Sequence, residues 1–356
     1  MSRVSKFREL LKNRELDGAL IFNELNQHYL SGFSFTDGLL LITSSRAFLI
    51  TDFRYFEMAE KEAFKDFEVV MPSDRKEFIT TVLKQEECFK LGFEGGYVSV
   101  NLYEKLLSDY NFCKLENING VVEGLRQIKD EEELRKMQKA QDITDKAFAT
   151  LIKNIKTDMT EIEVAAELEY IMRREGASGL AFDTIAVSGD ASALPHGVPR
   201  NVKLKKGFLT MDFGAKFDGY CSDMTRTIVI GKADDHIKKV YNTVLSAQLA
   251  ALDYVRAGVE CAAVDKVARD IIDGVDEFKG TFGHSLGHSV GLFIHESPRF
   301  SSKASGEMTR VGEIYTVEPG IYLYGKYGCR IEDMIAIESD GVYNFTNSTK
   351  ELIEIL

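Results

Sequence analysis

Apolar residues three and four apart open the chain: Phe7, Leu10 and Leu11 predict an amphipathic helix over residues 5–15. The apolar positions then close up into short runs. Ala19-Leu20-Ile21-Phe22, Gly38-Leu39-Leu40-Leu41-Ile42 and Ala47-Phe48-Leu49-Ile50 read as strands, the last two joined across a Ser44-Ser45 turn. Glu68-Val69-Val70-Met71 predicts another strand closed by Pro72-Ser73-Asp74, and helical and strand patterns alternate to about residue 120. This part reads as a small α/β domain without legible chemistry. A charged helix follows from Asp130-Glu131-Glu132-Glu133 to about Ile155, its acids in the first turn where the helix dipole favours them. Thr160 and Glu163 fit a capping box that opens a helix over about 160–175, ended by Gly176. From Asp183 the chain is strand-rich, interrupted by helices over about 234–256 and 260–273. The pattern contains no repeat. A boundary near residues 122–128 divides a smaller domain, 1–124, from a larger one, 125–356.

Composition narrows the function classes. At 356 residues the chain is too long for one ordinary core, and no apolar run approaches the roughly 20 residues of a membrane helix. A net charge of −12 argues against binding nucleic-acid phosphates through a general basic face. Five scattered cysteines (Cys88, Cys113, Cys221, Cys261, Cys329) contain no Cys-x-x-Cys, which disfavours disulfides and zinc knuckles alike. The start of the chain leads into the first amphipathic pattern without a signal-peptide core, so reduced cytoplasm is the expected setting.

The chemistry concentrates in the last part of the chain. Asp212 lies in Met211-Asp212-Phe213-Gly214 and Asp223 in Ser222-Asp223-Met224-Thr225, flanking a run that contains Asp218-Gly219. Asp-Gly between alternating segments is a strong hairpin signal. A two-residue loop there pairs Asp212 with Thr225 and makes Asp223 its diagonal neighbour; a slip of one pair sets the two aspartates directly opposite. Either register places both carboxylates on one face, with Cα atoms roughly 5–8 Å apart. Glu318 and Glu332 are equidistant from Gly325, so a short turn there sets them opposite each other, and Pro319 marks a strand edge or end. Four carboxylates buried together repel one another unless cations lie between them.

Of six histidines, His196, His284, His288 and His295 fall in these segments, while His28 and His236 read as structural or surface residues. Glycines at 283, 287 and 291 disfavour a helix carrying His284 and His288. Taken singly, His196, His284 and His295 are as readily hydrogen-bonding residues as functional ones. Oxygen donors with one imidazole suit two manganese-like ions, with cobalt also fitting; zinc sites usually take more nitrogen or sulfur.

At these residues the chain resembles the pita-bread metallopeptidases, which include methionine aminopeptidase, Xaa-Pro aminopeptidase and prolidase, with metal-free relatives such as creatinase. The order Asp, Asp, His, Glu, Glu with His-x6-His (His288, His295) carries the resemblance from about residue 125 onward. Asn26-Gln27-His28-Tyr29-Leu30-Ser31-Gly32-Phe33 resembles the creatinase-type N-terminal domain of the proline-specific branch. Phe182-Asp183-Thr184-Ile185, Leu194-Pro195-His196-Gly197 and His295-Glu296-Ser297-Pro298-Arg299 are also similar to that branch. Ser285 and Ser289 depart from it, standing where relatives often have glycine. The resemblance implies an α+β chain: a C-terminal pita-bread domain behind a smaller N-terminal α/β domain. It implies two divalent ions, manganese first and cobalt or zinc as alternatives, held by Asp212, Asp223, His288, Glu318 and Glu332, with Asp223 and Glu332 bridging. His196 and His295 would serve the reacting carbonyl and Glu318 the proton transfer. His284 and Arg299 would face the substrate, Arg299 where prolidases hold the proline carboxylate. The implied reaction is hydrolysis of an N-terminal Xaa-Pro bond by a hydroxide bridging the metals, in a homodimer acting on small peptides. Alternatives are a methionine-aminopeptidase-like exopeptidase, a creatinase-like amidinohydrolase and a non-enzymatic binding module.

Overall fold

The computed structural model describes all 356 residues, which form two compact units, Met1–Arg126 and Gln127–Leu356. No helix is long and apolar enough to cross a membrane.

The first unit is built on a six-stranded mixed sheet. Its spatial order is Glu68–Val70, Ala47–Ile50, Leu39–Thr43, Gly18–Ile21, Lys90–Phe93 and Lys114–Asn117. The middle strands pair antiparallel and the outer ones parallel. The three early apolar runs become strands buried at every position, as a sheet covered on both faces requires.

The second unit holds two helix pairs, each over its own sheet. Glu131–Asn154 and Glu161–Arg174 pack on Ile185–Ser188, Gly207–Phe213 and Met224–Ile230. Asp235–Tyr254 and Cys261–Asp273 pack on Ile314–Val317 and Asp333–Glu338. Asp130 and Thr160 both complete capping boxes, with Glu133 and Glu163. The absence of a repeat in the sequence pattern does not carry over to the backbone, whose architecture is duplicated. An isolated bridge precedes the second helix of each pair, Thr160 to Lys203 and Glu260 to Met308. The first residues of those helices, Glu161 and Cys261, are both buried yet chemically unrelated. Backbone geometry repeats where side chains do not, so hydrophobic periodicity alone does not reveal the duplication.

Candidate metal centre

The Asp218-Gly219 loop sets the first pair of acids. Phe217 pairs with Tyr220, and beyond a break at Gly214 and Asp223 the same register resumes in another sheet, with Asp212 opposite Thr225. Both loop residues have positive φ, 47° and 84°, the mirror-image turn whose twist matches its strands. Asp223 is therefore the diagonal neighbour of Asp212, the first of the two registers considered. Gly214 permits the crossing between them, since a Cβ there would stand 2.0 Å from the Ser222 carbonyl oxygen.

The second pair lies at a break between two ladders of one register. Gly320 pairs with Arg330 on the side of the turn, and Val317 pairs with Asp333 on the other. Glu318 and Glu332 occupy the gap, beside Pro319, which has no N–H to give. Their own amides turn outward to other segments: Glu318 N donates to Leu286 O at 2.8 Å and Glu332 N to Thr225 O at 3.1 Å. Symmetry about Gly325 therefore predicts the register correctly, and Pro319 predicts the interruption.

His288 enters from a short strand, Gly287–Ser289, rather than a helix. Its Nδ1 donates to the Ser289 carbonyl at 3.1 Å, which leaves the Nε2 lone pair facing Asp223 Oδ2 and Glu318 Oε1, both at 3.5 Å. Asp223, His288 and Glu332 are buried, with donor atoms all within 4.8 Å of one another. Asp212 is half-turned from this group: Arg330 Nη2 donates to its Oδ2 at 2.6 Å, while its Oδ1 is buried without a partner.

The electrostatics leave this constellation incomplete as a purely protein assembly. Burial, and then repulsion from Glu332, Asp212 and Glu318, push Asp223 well above its ordinary range. Burial with Glu318 and Asp212 does the same to Glu332. Burial raises Glu318 to about 8, Asp212 adding to the rise while Arg330 opposes it. The His288 imidazole is lowered to about 3, chiefly by burial, and so stays neutral. A neutral nitrogen lone pair directed at two carboxylates, and a third carboxylate with an orphaned buried oxygen, are what a cation between them would satisfy. The donor set therefore fits divalent metal, with mostly oxygen ligands.

All nine residues singled out from the sequence line one cavity of about 490 Å³, including His196, His284, His295 and Arg299. His284 is held from both sides, its Nδ1 at 2.8 Å from the Ser285 carbonyl and its Nε2 at 2.9 Å from the Tyr322 hydroxyl; burial lowers it to about 4. His295 packs edge-on against His288 with ring centroids 4.6 Å apart, and burial followed by Arg299 lowers its pKa. His196 and Arg299 are exposed on the cavity wall.

Three further residues organise the site and carry no role in the sequence reading: Arg330, Thr225 and Tyr322. Arg330 donates to Asp212, to Thr225 Oγ1 at 2.9 Å and to the Tyr322 hydroxyl at 2.8 Å; Thr225 Oγ1 donates to Glu332 Oε2 at 2.7 Å. Strand alternation is the signal for two of them. Arg330 stands two residues before Glu332 and Thr225 two after Asp223, on the same faces as those acids.

A duplicated α+β unit gathering four acids and an imidazole into one buried cluster is a pita-bread metallohydrolase site. The chain belongs to metallopeptidase family M24, whose model matches residues 135–339, and residues 3–128 match the Creatinase/Prolidase N-terminal domain. It is 38% identical over 356 residues to an Xaa-Pro dipeptidase of Pyrococcus horikoshii, covering 99% of this chain and 98% of that protein. Among solved structures, an Xaa-Pro dipeptidase from Bacillus anthracis matches with a TM-score of 0.95 at 38% identity over 99% of both chains. An X-Pro aminopeptidase from Thermotoga maritima matches with a TM-score of 0.91 at 36% identity, covering 96% of this chain and 98% of that one.

Proposed function

We propose that this metallopeptidase hydrolyses the bond between an N-terminal residue and proline, using two divalent ions. The observation that carries the reading is the buried convergence of Asp223, His288 and Glu332, flanked by Glu318 and by the unpartnered oxygen of Asp212. Asp212 and Asp223 would hold one ion, His288 and Glu318 the other, with Asp223 and Glu332 between them. When bound, the ions lower the pKa of a shared water enough to supply hydroxide near neutrality. The oxygen-dominated donor set favours manganese, with cobalt and zinc as alternatives.

The chain's own residues do the rest. His295 and His196 donate hydrogen bonds to the oxygen that develops charge at the scissile carbonyl. Glu318 takes up the proton that the attacking water gives up and passes it to the departing proline nitrogen. Arg299 is exposed, lines the cavity and holds no carboxylate of this chain, so it is available for the carboxylate of a dipeptide. His284, pinned between Ser285 and Tyr322, lines the substrate side. Proline in the second position agrees with the Xaa-Pro dipeptidase and X-Pro aminopeptidase relatives described above. Five buried cysteines that form no disulfide suit a reduced cytoplasmic setting, and assembly as a homodimer belongs to the same reading.

Metal-stripped protein refilled with manganese, cobalt or zinc tests this on an Xaa-Pro dipeptide, an Xaa-Pro-Yaa tripeptide and a Met-Ala-Ser peptide. Cleavage of the proline substrates by the refilled forms alone is expected. Cleavage of only the methionine peptide would overturn the proline assignment.

A further inference from the structure

Lys129 is a buried ammonium outside the ligand set, and it reaches the base of the loop that carries His295. Its side chain is 1% exposed, with Nζ 3.5 Å from Glu296 Oε2 and 3.4 Å from Ser289 Oγ. Those two acceptors face each other across a sheet: Ser289 pairs with Glu296 at the point where the register shifts, His288 being opposite Arg299 one residue earlier. Ser297 and Pro298 are the extra residues taken up by that irregularity. The loop of residues 290–295 leaves from this pair, and the two imidazoles His288 and His295 adjoin it on either strand.

Glu296 also closes the loop from inside. Its Oε1 accepts from Phe293 N at 3.1 Å, and Gly291 lies so close that a Cβ would stand 2.7 Å from Oε2. Lys129 is itself anchored, its amide donating to Gly312 O at 2.9 Å. One fixed cation thus ties a ligand-bearing strand to the strand that follows His295. Ser289 supplies a hydroxyl to that tie.

We propose that Lys129, through Glu296 and Ser289, is a positioning residue that sets the mutual placement of His288 and His295. This rests on the peptidase reading for its effect on turnover but not for its effect on the rings. Lys129→Met, Lys129→Arg and the double variant Lys129→Met with Glu296→Gln provide the test. In the metal-free protein, NMR of the histidine ring protons should show His288 and His295 shifted or broadened in Lys129→Met, with His28 and His236 unmoved. In the manganese-loaded protein, kcat on an Xaa-Pro dipeptide should fall about 10- to 100-fold with KM within about threefold, the scale on which supporting residues around metal ligands act. Lys129→Arg should retain most activity. The double variant, which also removes the charge that Lys129 balances, should recover part of the loss and fold where the single variant does not. Unchanged ring signals in folded Lys129→Met or in the double variant would overturn the proposal, as would a kcat loss that merely follows the folded fraction. If the wild-type chain leaves Xaa-Pro peptides uncut, the peptidase reading fails while the ring signals still decide the role of Lys129.

Discussion

The two halves of the larger unit solve the same problem with different parts. In each, a buried carboxylate on the second helix clamps the segment that leads to the site. In the first half, Glu161 accepts from Ser188 N and Oγ, both at 2.8 Å, and from Arg200 Nη2 at 2.7 Å, which fixes both ends of the stretch containing His196. In the second half, Asp265 accepts from Arg269 Nε at 2.9 Å and from Leu286 N at 2.9 Å. Arg269 continues to the carbonyls of Phe282, at 2.7 Å, and His284, at 2.9 Å. Both hairpins are cut into two ladders of one register, the first at Gly214 and Asp223, the second at Glu318 and Pro319, but the first has seven pairs beyond its break and the second four. The longer ladder makes the first half a stiff platform for two aspartates. The second half, with shorter ladders, turns the amides of Glu318 and Glu332 to other segments and delivers three ligands of two kinds.

If the halves contribute equally to the metal pair, the largest effects fall on the two acids deepest in the cluster. Asp223→Asn and Glu332→Gln should each reduce kcat/KM on an Xaa-Pro dipeptide by on the order of 10⁴, as loss of a central catalytic group does. Bound metal, measured by elemental analysis, should fall in both. Yet each change removes a repelling charge from the metal-free chain, so apo-protein melting should rise in both. A fall in apo-protein melting would show that these acids do not repel one another as the raised pKa values imply. Unequal loss of metal would show that one half dominates.

Next in size is the tie between the halves. Arg226, on a strand of the first half, donates to Asp333 Oδ1 at 2.8 Å, and Lys350 reaches Oδ2 at 2.6 Å, with both Arg226 and Asp333 essentially buried. Asp333→Asn leaves a buried guanidinium without its anion and should cost about 3–5 kcal/mol in denaturant unfolding at pH 7. Burial alone would raise the Asp333 pKa, but Arg226 and Lys350 outweigh it and leave the carboxyl below its ordinary range. A depressed carboxylate gives stability that is complete above its unfolded pKa near 4 and is lost as pH falls through the folded value. Unfolding free energy should therefore drop steeply below about pH 4 in the wild type, and less steeply in Asp333→Asn.

The first hairpin was legible because one dipeptide decides a register, and a register decides which side chains share a face. Glu318 and Glu332 were legible only through their symmetry about Gly325. Arg330 and Thr225 were in plain view two residues from the ligands, but alternation assigns a face without assigning a role. Tyr322 needed the three-dimensional approach of His284 and Arg330, which local pattern does not contain. The duplication stayed hidden because its two copies share backbone bridges rather than residue types, and Lys129 because its partners lie about 160 positions away.

The clamps separate the halves more finely. Asp265→Asn frees Leu286, whose carbonyl receives the Glu318 amide, so it disturbs a ligand at one remove. Glu161→Gln loosens the stretch around His196, which is not a ligand in the proposed site. Asp265→Asn should lower kcat about tenfold or more with some loss of metal, the scale of supporting residues, and Glu161→Gln only severalfold with metal retained. Equal metal loss in both would erase the distinction between a platform and a ligand carrier. Glu161 also sits below its ordinary range: burial would raise it, but the Arg200 and Ser188 hydrogen bonds prevail. Its share of stability is therefore likewise lost as pH falls through the folded value, and Glu161→Gln should flatten part of the acid limb.

The smallest effects belong to the two hairpin tips. Gly219 has φ 84° and Gly325 φ 69°, a region an L side chain occupies only under strain. Alanine at either position should cost about 1 kcal/mol in denaturant unfolding. Their effects on catalysis should diverge. The first ladder holds seven consecutive pairs between Gly207–Phe213 and Met224–Ile230, enough to keep Asp212 and Asp223 in register whatever the tip does. The second has only four pairs beyond its gap at Glu318 to hold the glutamates against the tip, so strain at Gly325 lies within reach of both. Gly219→Ala should leave kcat/KM within about twofold of the wild type, and Gly325→Ala should lower it several times more at similar loss of stability. Equal activity in the two variants would mean that Glu318 is placed by its amide bond to Leu286 and Glu332 by its bond to Thr225, and that the turn contributes only to folding.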